Sequence, residues 1–273
     1  MERLGRIYAI VIMLSQEEIL RYNRQINLPE IGLAGQKKLK KASVLVVGAG
    51  GLGSPVLMYL TAAGIGRIGI IDSDAVSLSN LQRQILYNSD ELGQSKIKTA
   101  NNKLSKLNPN TVFDLHDFDL NCQNAAGIIS KYDIVVDCTD NFMARYIIND
   151  TCVMLGKPFV FASVQNYEGQ VSVFNYRNGP TYRCLYPEPP PESDTPTVEK
   201  SGLPAVLPGI TGSLQANEVM KIITETGEVL SGKLLIFNIL KNSFVTLKIS
   251  LVNENRNITE LNHPILFPPN DHY

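Results

Sequence analysis

Glycines follow a strongly apolar run of the sequence at a spacing suited to phosphate binding. Residues 44–53 read VLVVGAGGLG, and Gly48, Gly50 and Gly53 form a G-x-G-x-x-G pattern between a predicted strand and a predicted helix. Such glycines let the backbone approach a phosphate, and the helix N-terminus offers unpaired N–H groups. Asp72 ends the next predicted strand, where a carboxylate can accept hydrogen bonds from ribose hydroxyls. Together these features predict a mononucleotide site, whereas glycines alone can serve merely as a tight turn.

Cations follow this acid in a pattern that a dinucleotide dehydrogenase does not need. The sequence after Asp72 continues to Asn80, Arg83 and then Lys96. Two cations and an amide can face the β- and γ-phosphates of ATP and offset the charge on a leaving pyrophosphate. The alternative is that both cations are solvated surface residues, as most single Lys and Arg side chains are.

A second acidic group follows the predicted strand at residues 134–136. Asp137-Cys-Thr-Asp140-Asn141 places carboxylates and an amide at the carboxyl edge of a parallel sheet, where ligands bind. Asp140 suits Mg²⁺, which takes one or two carboxylates beside water and phosphate oxygens. The same residues can instead cap the helix that begins near Phe142, and the two roles are compatible.

Histidine is too scarce for chemistry that depends on proton transfer by imidazole. The chain has three histidines, at 116, 263 and 272, which disfavours a Ser–His–Asp hydrolase or a His-dependent hydride-transfer enzyme. Attack of a carboxylate on the α-phosphate of ATP needs no such base, because the nucleophile is already ionised at neutral pH.

The elements that must position these residues alternate between strands and helices. This alternation predicts an α/β fold, a Rossmann-like nucleotide-binding fold with a mainly parallel sheet. Beyond Gly169 the extended segments lack intervening helices, apart from one helix at Gly212–Thr224, so we expect antiparallel strands there. The predicted strands are 43–47, 67–71, 111–115, 134–136, 159–162, 170–176, 233–239 and 243–251. The predicted helices before the change are 52–63, 95–107, 123–130 and 142–155.

A long proline-rich segment interrupts the second half at about residues 177–208. Its prolines and scattered charges oppose a regular helix or central strand. Loops of this length in a compact domain are usually lids or binding loops, so we expect this one to control access of the substrate.

Composition excludes several classes of protein. The chain has 273 residues with 25 Lys+Arg and 26 Asp+Glu, a net charge of −1 that gives no basis for general nucleic-acid binding. No apolar run approaches the roughly 20 residues of a membrane helix. The four cysteines form no C-x-x-C pair, which favours a reducing cytoplasm. Residues 1–12 are not a clear secretory signal. They precede the first predicted amphipathic helix, which opens at Leu14-Ser15.

These motifs, in this order, resemble the ThiF/MoeB/HesA family, the bacterial relatives of ubiquitin-activating enzymes. The resemblance runs from about residue 15 to residue 251. It implies adenylation of the C-terminal glycine of a ubiquitin-like sulfur carrier with a Gly-Gly end, in molybdopterin or thiamine biosynthesis, with release of pyrophosphate. The motifs that carry it are Arg21-Tyr-Asn-Arg24, Gly48 to Gly53, Asp72-Ser-Asp74, Ser77 to Gln84, Gly93-Gln-Ser-Lys96 and Asp137 to Asn141.

The resemblance also implies roles for individual residues. Asp140 would hold Mg²⁺, with Asn141 beside it, and Arg24 would reach the γ-phosphate in the partner subunit, so that the homodimer is required for activity. The catalytic residues implied are Arg24, Arg83, Lys96 and Asp140. The ATP-binding residues implied are Gly48, Gly50, Gly51, Asp72, Ser79, Asn80, Leu81, Gln82, Arg83, Lys96, Asp140 and Asn141.

The chain departs from the family pattern in its cysteines. Family members often hold a structural zinc with two C-x-x-C pairs; here the first reads Thr181-Tyr-Arg-Cys184 and nothing after Cys184 is cysteine, so we expect no tetrathiolate zinc. Members also often carry a reactive cysteine farther along the loop, where residues 195–200 have none. Cys184 is therefore interpreted as a remnant of a lost zinc site or, alternatively, as the reactive thiol.

The expected organisation has three parts. Residues 1–14 form an N-terminal extension, residues 15–251 form the adenylation domain with a crossover loop at about 177–208, and residues 252–273 form a C-terminal tail. Two alternatives to carrier adenylation stay open: a relative that adenylates a small-molecule or tRNA-attached carboxylate, and a non-catalytic scaffold that binds the carrier. The retained phosphate-binding set favours an enzyme over a scaffold.

Overall fold

An eight-stranded mixed sheet forms the centre of the computed structural model, which describes residues 13–190 and 202–261. The strands lie in the order β3-β2-β1-β4-β5-β6-β7-β8, and the first five in this order are mutually parallel. The last three continue the sheet as antiparallel strands, as the sequence predicts. The strands are β1 Ser43–Val47, β2 Arg67–Ile71, β3 Val112–His116, β4 Ile134–Asp137, β5 Phe159–Gln165, β6 Glu168–Phe174, β7 Lys233–Asn238 and β8 Ser243–Lys248.

Helices cover both faces of the parallel half and join its strands. The α-helices of the described residues are α1 Gln16–Arg21, α2 Asn23–Ile26, α3 Gly32–Lys41, α4 Gly53–Ala63, α5 Lys96–Leu107, α6 Ala125–Ile129, α7 Phe142–Met154 and α8 Val206–Thr224. None of them combines the length and apolar character that a membrane span requires.

Two apolar cores, one on each face of the sheet, follow from the buried strands. Side chains of β1 alternate between them: Val44 and Val46 join the core beneath α4, α5 and α8, while Leu45 and Val47 join the core beneath α6 and α7. A strand that is apolar on both faces can be buried only at the centre of such a layered fold. The sequence signal for β1 is therefore strong, and its predicted bounds are confirmed.

The crossover loop is shorter than the prolines indicate. Helix α8 begins at Val206, not at the predicted Gly212, and it includes Pro208. Proline is tolerated in the first turn of a helix, because the N–H that it lacks would have no partner inside the helix there. The loop also contains a short 3-10 turn at Tyr182–Cys184. Residues 191–201, which include the expected cysteine-free stretch, lie outside the described residues.

Helix α1, near the start of the described residues, is capped and tied to the rest of the molecule. Ser15 and Glu18 form a reciprocal capping box at the start of α1. Glu18 also accepts a hydrogen bond from Lys40 of α3 at 2.7 Å, and the buried Tyr22 hydroxyl accepts one from Asn108 at 2.8 Å. Residues 1–12 of the predicted extension 1–14, and residues 262–273 of the predicted tail 252–273, with His263 and His272, lie outside the described residues.

Candidate functional site

The predicted site residues converge where the carboxyl ends of β2, β1 and β4 meet. Val47, the last residue of β1, pairs with Ile71 on one side and with Asp137 on the other. The glycine turn (residues 48–53) therefore leaves the sheet between Asp72 and the Asp137–Asn141 turn. The strand order changes direction here, because β1 lies between β2 and β4, and such switch points are where ligands bind in open α/β sheets.

Close packing explains why the glycine turn needs glycine. Gly48 has φ +94°, and a Cβ at this position would lie 2.7 Å from the carbonyl oxygen of Cys138. A Cβ at Gly53, the first residue of α4, would lie 2.1 Å from the carbonyl oxygen of Gly48. Both contacts are too short for a carbon atom, so these two positions exclude other residues, and the turn brings the N-terminus of α4 up to the sheet edge.

Two backbone N–H groups hold the Asp72 carboxylate, one from the glycine turn and one from the segment after β2. One carboxylate oxygen accepts the Ala49 N–H at 2.7 Å and the other accepts the Asp74 N–H at 2.9 Å. Burial raises the pKa of Asp72, and the nearby Lys96 ammonium opposes this rise. The carboxylate thus stands beside the glycine turn, at the position predicted for ribose.

Lys96 reaches this side of the site from the first residue of α5. Its Nζ lies 2.7 Å from Asp74 Oδ2, and the side chain is only 4% exposed. A buried ammonium needs a partner of opposite charge, and Asp74 supplies it. The sequence predicts Lys96 for the phosphates but does not indicate this ion pair.

Arg83 lies next to the glycine turn on the following segment. A Cβ at Gly51 would lie 3.6 Å from Arg83 Cγ, and the guanidinium donates to the carbonyl of Ser79 at 3.0 Å. The segment around it is partly or fully exposed at Ser79, Asn80, Leu81 and Gln82. The structure therefore brings Arg83 and the glycine turn together, as predicted, with the flanking polar residues accessible.

The turn after β4 carries Asp140 and Asn141. Asp140 is exposed and makes no hydrogen bond or ion pair with any described residue. Asn141 caps α7 by accepting the Ala144 N–H at 2.8 Å, so its capping role is observed. Because Mg²⁺ needs one or two carboxylates and fills its other positions with water and phosphate, a free carboxylate at this edge fits the ion. Within residues 13–190 and 202–261 there is no cluster of three or more His, Cys, Asp or Glu side chains that could hold a metal by itself.

Arg24 lies apart from this group. It is an exposed residue of α2 and makes no hydrogen bond or ion pair with the described part of its own chain. Neighbours of Arg24 are anchored: Tyr22 is buried, and Gln25 donates to the carbonyl of Ala63 at 3.1 Å. The guanidinium is thus displayed on a well-held helix.

Cys184 is engaged with the segment after β8. Its sulfur accepts the N–H groups of Thr181 and of Val252, each at 3.4 Å. Thr181 and Asn255 join across the same contact, since the Thr181 hydroxyl donates to the Asn255 carbonyl at 3.4 Å. Direct hydrogen bonds therefore link the start of the crossover loop to residues 252–255.

Sequence reasoning missed residues that surround the turn. Gln84 is 5% exposed, lies against Gly50, and has a buried Oε1 without a hydrogen-bond partner in the described chain. Tyr87 donates to the carbonyl of Ala49 at 2.8 Å, and burial raises its pKa. Pro208 of α8 touches the position of a Gly51 Cβ. Only Gln84, adjacent to Arg83, carried a sequence signal, because the others act across long separations.

This geometry defines the class of protein: a Rossmann-like α/β fold with a glycine turn and flanking carboxylates at its switch point. The chain belongs to the ThiF family, whose model matches residues 22–258. It is 46% identical over 235 residues to the sulfur carrier protein adenylyltransferase of Thermus thermophilus, covering 84% of this chain and 87% of that protein.

Larger relatives match as well. The adenylyltransferase and sulfurtransferase MOCS3 of Xenopus laevis is 50% identical over 86% of this chain, and the chain spans about half of that protein, 52%. A probable adenylyltransferase/sulfurtransferase, MoeZ of Mycobacterium tuberculosis, is 43% identical over 91% of this chain and 64% of its own length.

Solved structures show the same fold at lower identity. The crystal structure of E. coli MccB with MccA-N7isoASN matches with a TM-score of 0.77 at 23% identity, covering 88% of this chain and 73% of that one. PaaA matches with a TM-score of 0.74 at 23% identity, covering 91% and 79%. These likenesses confirm the predicted fold class.

Proposed function

We propose that this protein is an ATP-dependent adenylyltransferase that activates the C-terminal glycine of a ubiquitin-like sulfur carrier. The observation that supports this most is that Asp72, Arg83 and the segment that leads from Cys138 to the exposed Asp140 all meet at one glycine turn. The named adenylyltransferases among its relatives support the same activity. The carrier would serve molybdopterin or thiamine biosynthesis.

The reaction joins two anions, so the protein must supply positive charge and alignment. A carboxylate oxygen of the carrier's last glycine attacks the α-phosphorus of ATP, and the bond from that phosphorus to the bridging oxygen of pyrophosphate breaks. The products are the acyl adenylate and pyrophosphate, and no proton needs to move. Arg83, Lys96 and the N–H groups of the glycine turn would offset the charge that grows on pyrophosphate.

Each residue has a distinct part in this proposal. Asp72 would bind the ribose, while Ser79 to Gln82 would line the phosphates beside Arg83. Asp140, with Asn141 adjacent, would hold Mg²⁺, which neutralises phosphate charge when bound. The Lys96–Asp74 ion pair would keep the ammonium oriented until phosphate arrives.

The substrate and assembly belong to the same proposal. A carrier with a flexible Gly-Gly end would thread beneath the crossover loop toward the α-phosphate. A homodimer would place Arg24 of one protomer at the γ-phosphate bound by its partner, which accords with the exposure of Arg24 on its own chain. We also propose a cytoplasmic setting, since Cys122, Cys138, Cys152 and Cys184 are free thiols.

The same proposal includes the division of the chain. Residues 15–251 would form the adenylation domain, with residues 1–14 as an extension and residues 252–273 as a tail. The capping box at Ser15 supports the first boundary, because the helix it starts is tied to α3.

The test is ATP–pyrophosphate exchange with purified protein, Mg²⁺ and a panel of ubiquitin-like carriers ending in Gly-Gly. Each carrier is measured beside the same carrier without its last two residues. Exchange with one intact carrier and none with its truncated form is the expected result. Binding of ATP without exchange for any carrier would contradict the proposal and favour a small-molecule or tRNA-attached carboxylate, or a carrier-binding scaffold.

Asp140→Ala should lower exchange by at least about a hundredfold, because Mg²⁺ would lose its protein carboxylate. The melting temperature should stay near that of the wild type, since Asp140 is exposed and makes no hydrogen bond or ion pair with the described residues. Asp133→Ala is the control for removing a carboxylate at the opposite end of β4. Retention of most activity in Asp140→Ala would remove this residue from the metal site.

A further inference from the structure

Arg145 is a buried cation of α7 beneath the Asp140 turn. It is 6% exposed, and its guanidinium lies between two aromatic rings, 5.4 Å from the centre of Phe142 and 5.3 Å from that of Phe161. One of its terminal nitrogens, Nη2, donates to the carbonyl of Thr139 at 3.1 Å. A buried arginine costs free energy unless it is paired and hydrogen-bonded, so the positions of the groups around Arg145 determine whether it can be retained.

Thr139, the residue before Asp140, is held from both of its peptide groups. Asp137 Oδ1 accepts the Thr139 N–H at 3.0 Å and its hydroxyl at 2.7 Å, while Arg145 binds its carbonyl. Asp137 is itself buried, and its own carbonyl accepts Gln215 Nε2 at 2.7 Å. The peptide that leads into Asp140 is thus held in a clamp between the Asp137 carboxylate and the Arg145 guanidinium. The Asp140 side chain itself makes no hydrogen bond or ion pair with the described residues.

The Asp137 carboxylate and the Arg145 guanidinium of this clamp also face each other. Arg145 Nε lies 3.7 Å from Asp137 Oδ2, and neither atom has a hydrogen-bond partner in the described parts of the chain. The two charges therefore attract each other without forming a hydrogen bond, and the guanidinium donates its hydrogen bond to the Thr139 carbonyl. A planar guanidinium can bind a carbonyl, face a carboxylate and stack on rings at once, which an ammonium cannot.

We propose that Arg145, together with Asp137, is a positioning residue that holds the Asp140 carboxylate in the direction required for Mg²⁺. This inference rests on the proposed function, because it takes Asp140 as the metal-binding carboxylate. Arg145 contributes through the Thr139 carbonyl and makes no contact with the ion or with ATP. Groups that orient a metal ligand in this way typically change metal affinity 10–100-fold when they are removed.

The experiment measures ATP binding by isothermal titration calorimetry, with Mg²⁺ and with Mg²⁺ removed by chelator, for the wild type and Arg145→Lys. Lysine keeps the positive charge beside Asp137 but loses the planar group. We expect ATP binding without Mg²⁺ to be unchanged and the gain in affinity that Mg²⁺ provides to fall about tenfold. Arg67→Lys is the matched control: Arg67 also stacks on a ring, that of Tyr132, and pairs with Asp114, but it lies at the amino end of β2.

A second pair of variants separates positioning from folding. Arg145→Met leaves Asp137 buried without a cation and should lower the melting temperature, whereas Asp137→Asn in the same chain should restore it. The double variant should still lack the full Mg²⁺ effect, because the Thr139 carbonyl has no donor. An undiminished Mg²⁺ effect in Arg145→Lys or in the double variant would overturn the inference, as would an equal loss of binding with and without Mg²⁺. Absence of any Mg²⁺ effect in the wild type would instead contradict the proposed role of Asp140 itself.

Discussion

Side chains at the carboxyl edge divide into those already bonded to protein and those left accessible. Asp72 is held by backbone N–H groups, Lys96 by Asp74, and Asn141 by its helix cap. Asp140 is exposed and makes no hydrogen bond or ion pair with the described residues. The bonded residues shape the site in advance, which lowers the entropy cost of binding, while the accessible one can accept a ligand without breaking a protein contact.

Cys184→Ser should leave ATP–pyrophosphate exchange within about twofold of the wild type. The sulfur acts as an acceptor for two backbone N–H groups, and a serine oxygen can accept hydrogen bonds in the same place. The measurement is exchange at saturating carrier, with Cys122→Ser as the control for substituting a partly exposed thiol. A loss of tenfold or more in Cys184→Ser alone would show that this thiol takes part in adenylation.

For individual residues, the sequence predicted the types of side chain at the site but not the residues that they contact. The G-x-G-x-x-G pattern and Asp72 predict a nucleotide site because the chemistry depends on local spacing. The pairing of Lys96 with Asp74 and the clamp of Arg145 on Thr139 depend on how α5 and α7 approach the sheet edge. No pattern within the motifs encodes those approaches, so these contacts could not be predicted.

Among the elements, α1 is joined to α3 by an ion pair between Glu18 and Lys40. Glu18 is 4% exposed and bonds to Lys40 Nζ at 2.7 Å. Burial opposes ionisation of Glu18, but the Lys40 contact and the bonds from Ser15 outweigh it and hold its pKa below the ordinary value of 4.5. The ionised form is therefore favoured by folding.

Glu18→Gln should lower the free energy of unfolding by about 1 kcal/mol at neutral pH, since Lys40 is partly exposed. A lowered pKa contributes stability that is fully present above 4.5 and is lost as the pH falls through the folded-state pKa. The difference between wild type and variant should thus vanish in acid. Urea denaturation across this range measures it, and Glu17→Gln, on the exposed side of α1, is the control. A gap independent of pH would assign the effect to packing and not to charge.

The predicted strand ends lie within three residues of the observed ones, and the predicted helix ends lie within two residues, except at the start of α8. The bounds of β1 and β2 agree residue for residue with the sequence prediction, because the apolar residues at the end of each strand are followed directly by Gly48 or by Asp72. Helix α8 was predicted to begin too late, at Gly212 and not at Val206, because proline was interpreted as excluding a helix. Proline in a first turn is compatible with helix, and only the position of the turn, which the sequence does not show, distinguishes the two cases.

For the whole molecule, the sheet has two halves with different roles. The parallel half supplies the glycine turn, Asp72 and Asp140, while the antiparallel half extends the sheet through β6, β7 and β8. Strand β8 is exposed along its full length, with Phe244 and Val245 at its surface. The proposed site therefore lies in the half of the sheet that does not include this exposed edge.

Arg24→Ala and Arg83→Ala should each abolish exchange, yet chains carrying the two changes should complement each other when co-expressed. If Arg24 acts in the partner's site, one of the two sites in every mixed dimer contains both arginines. Random assortment then gives about a quarter of the wild-type activity. Separate purification and mixing without subunit exchange is the control. No recovery in the co-expressed sample would mean that Arg24 acts within its own chain or outside the reaction.

How two chains assemble is the property that the sequence predicts least well. The family resemblance implies that Arg24 binds phosphate, but a role in trans depends on a surface between two chains. The described protomer shows only that Arg24 is exposed on an anchored helix. The domain fold, by contrast, followed from the alternation of elements, which is a property of one chain.

Helix α8 follows the crossover loop and packs against the glycine turn through Pro208 and Gly212. A methyl group on Gly51 would come within 3.2 Å of Pro208 Cβ, so the first turn of α8 forms one wall of the glycine turn. In the proposed function nucleotide binds at this turn, so a partner that binds the crossover loop and shifts this helix would change the affinity for nucleotide. Thermodynamic reciprocity then requires nucleotide to change the affinity for that partner by the same factor.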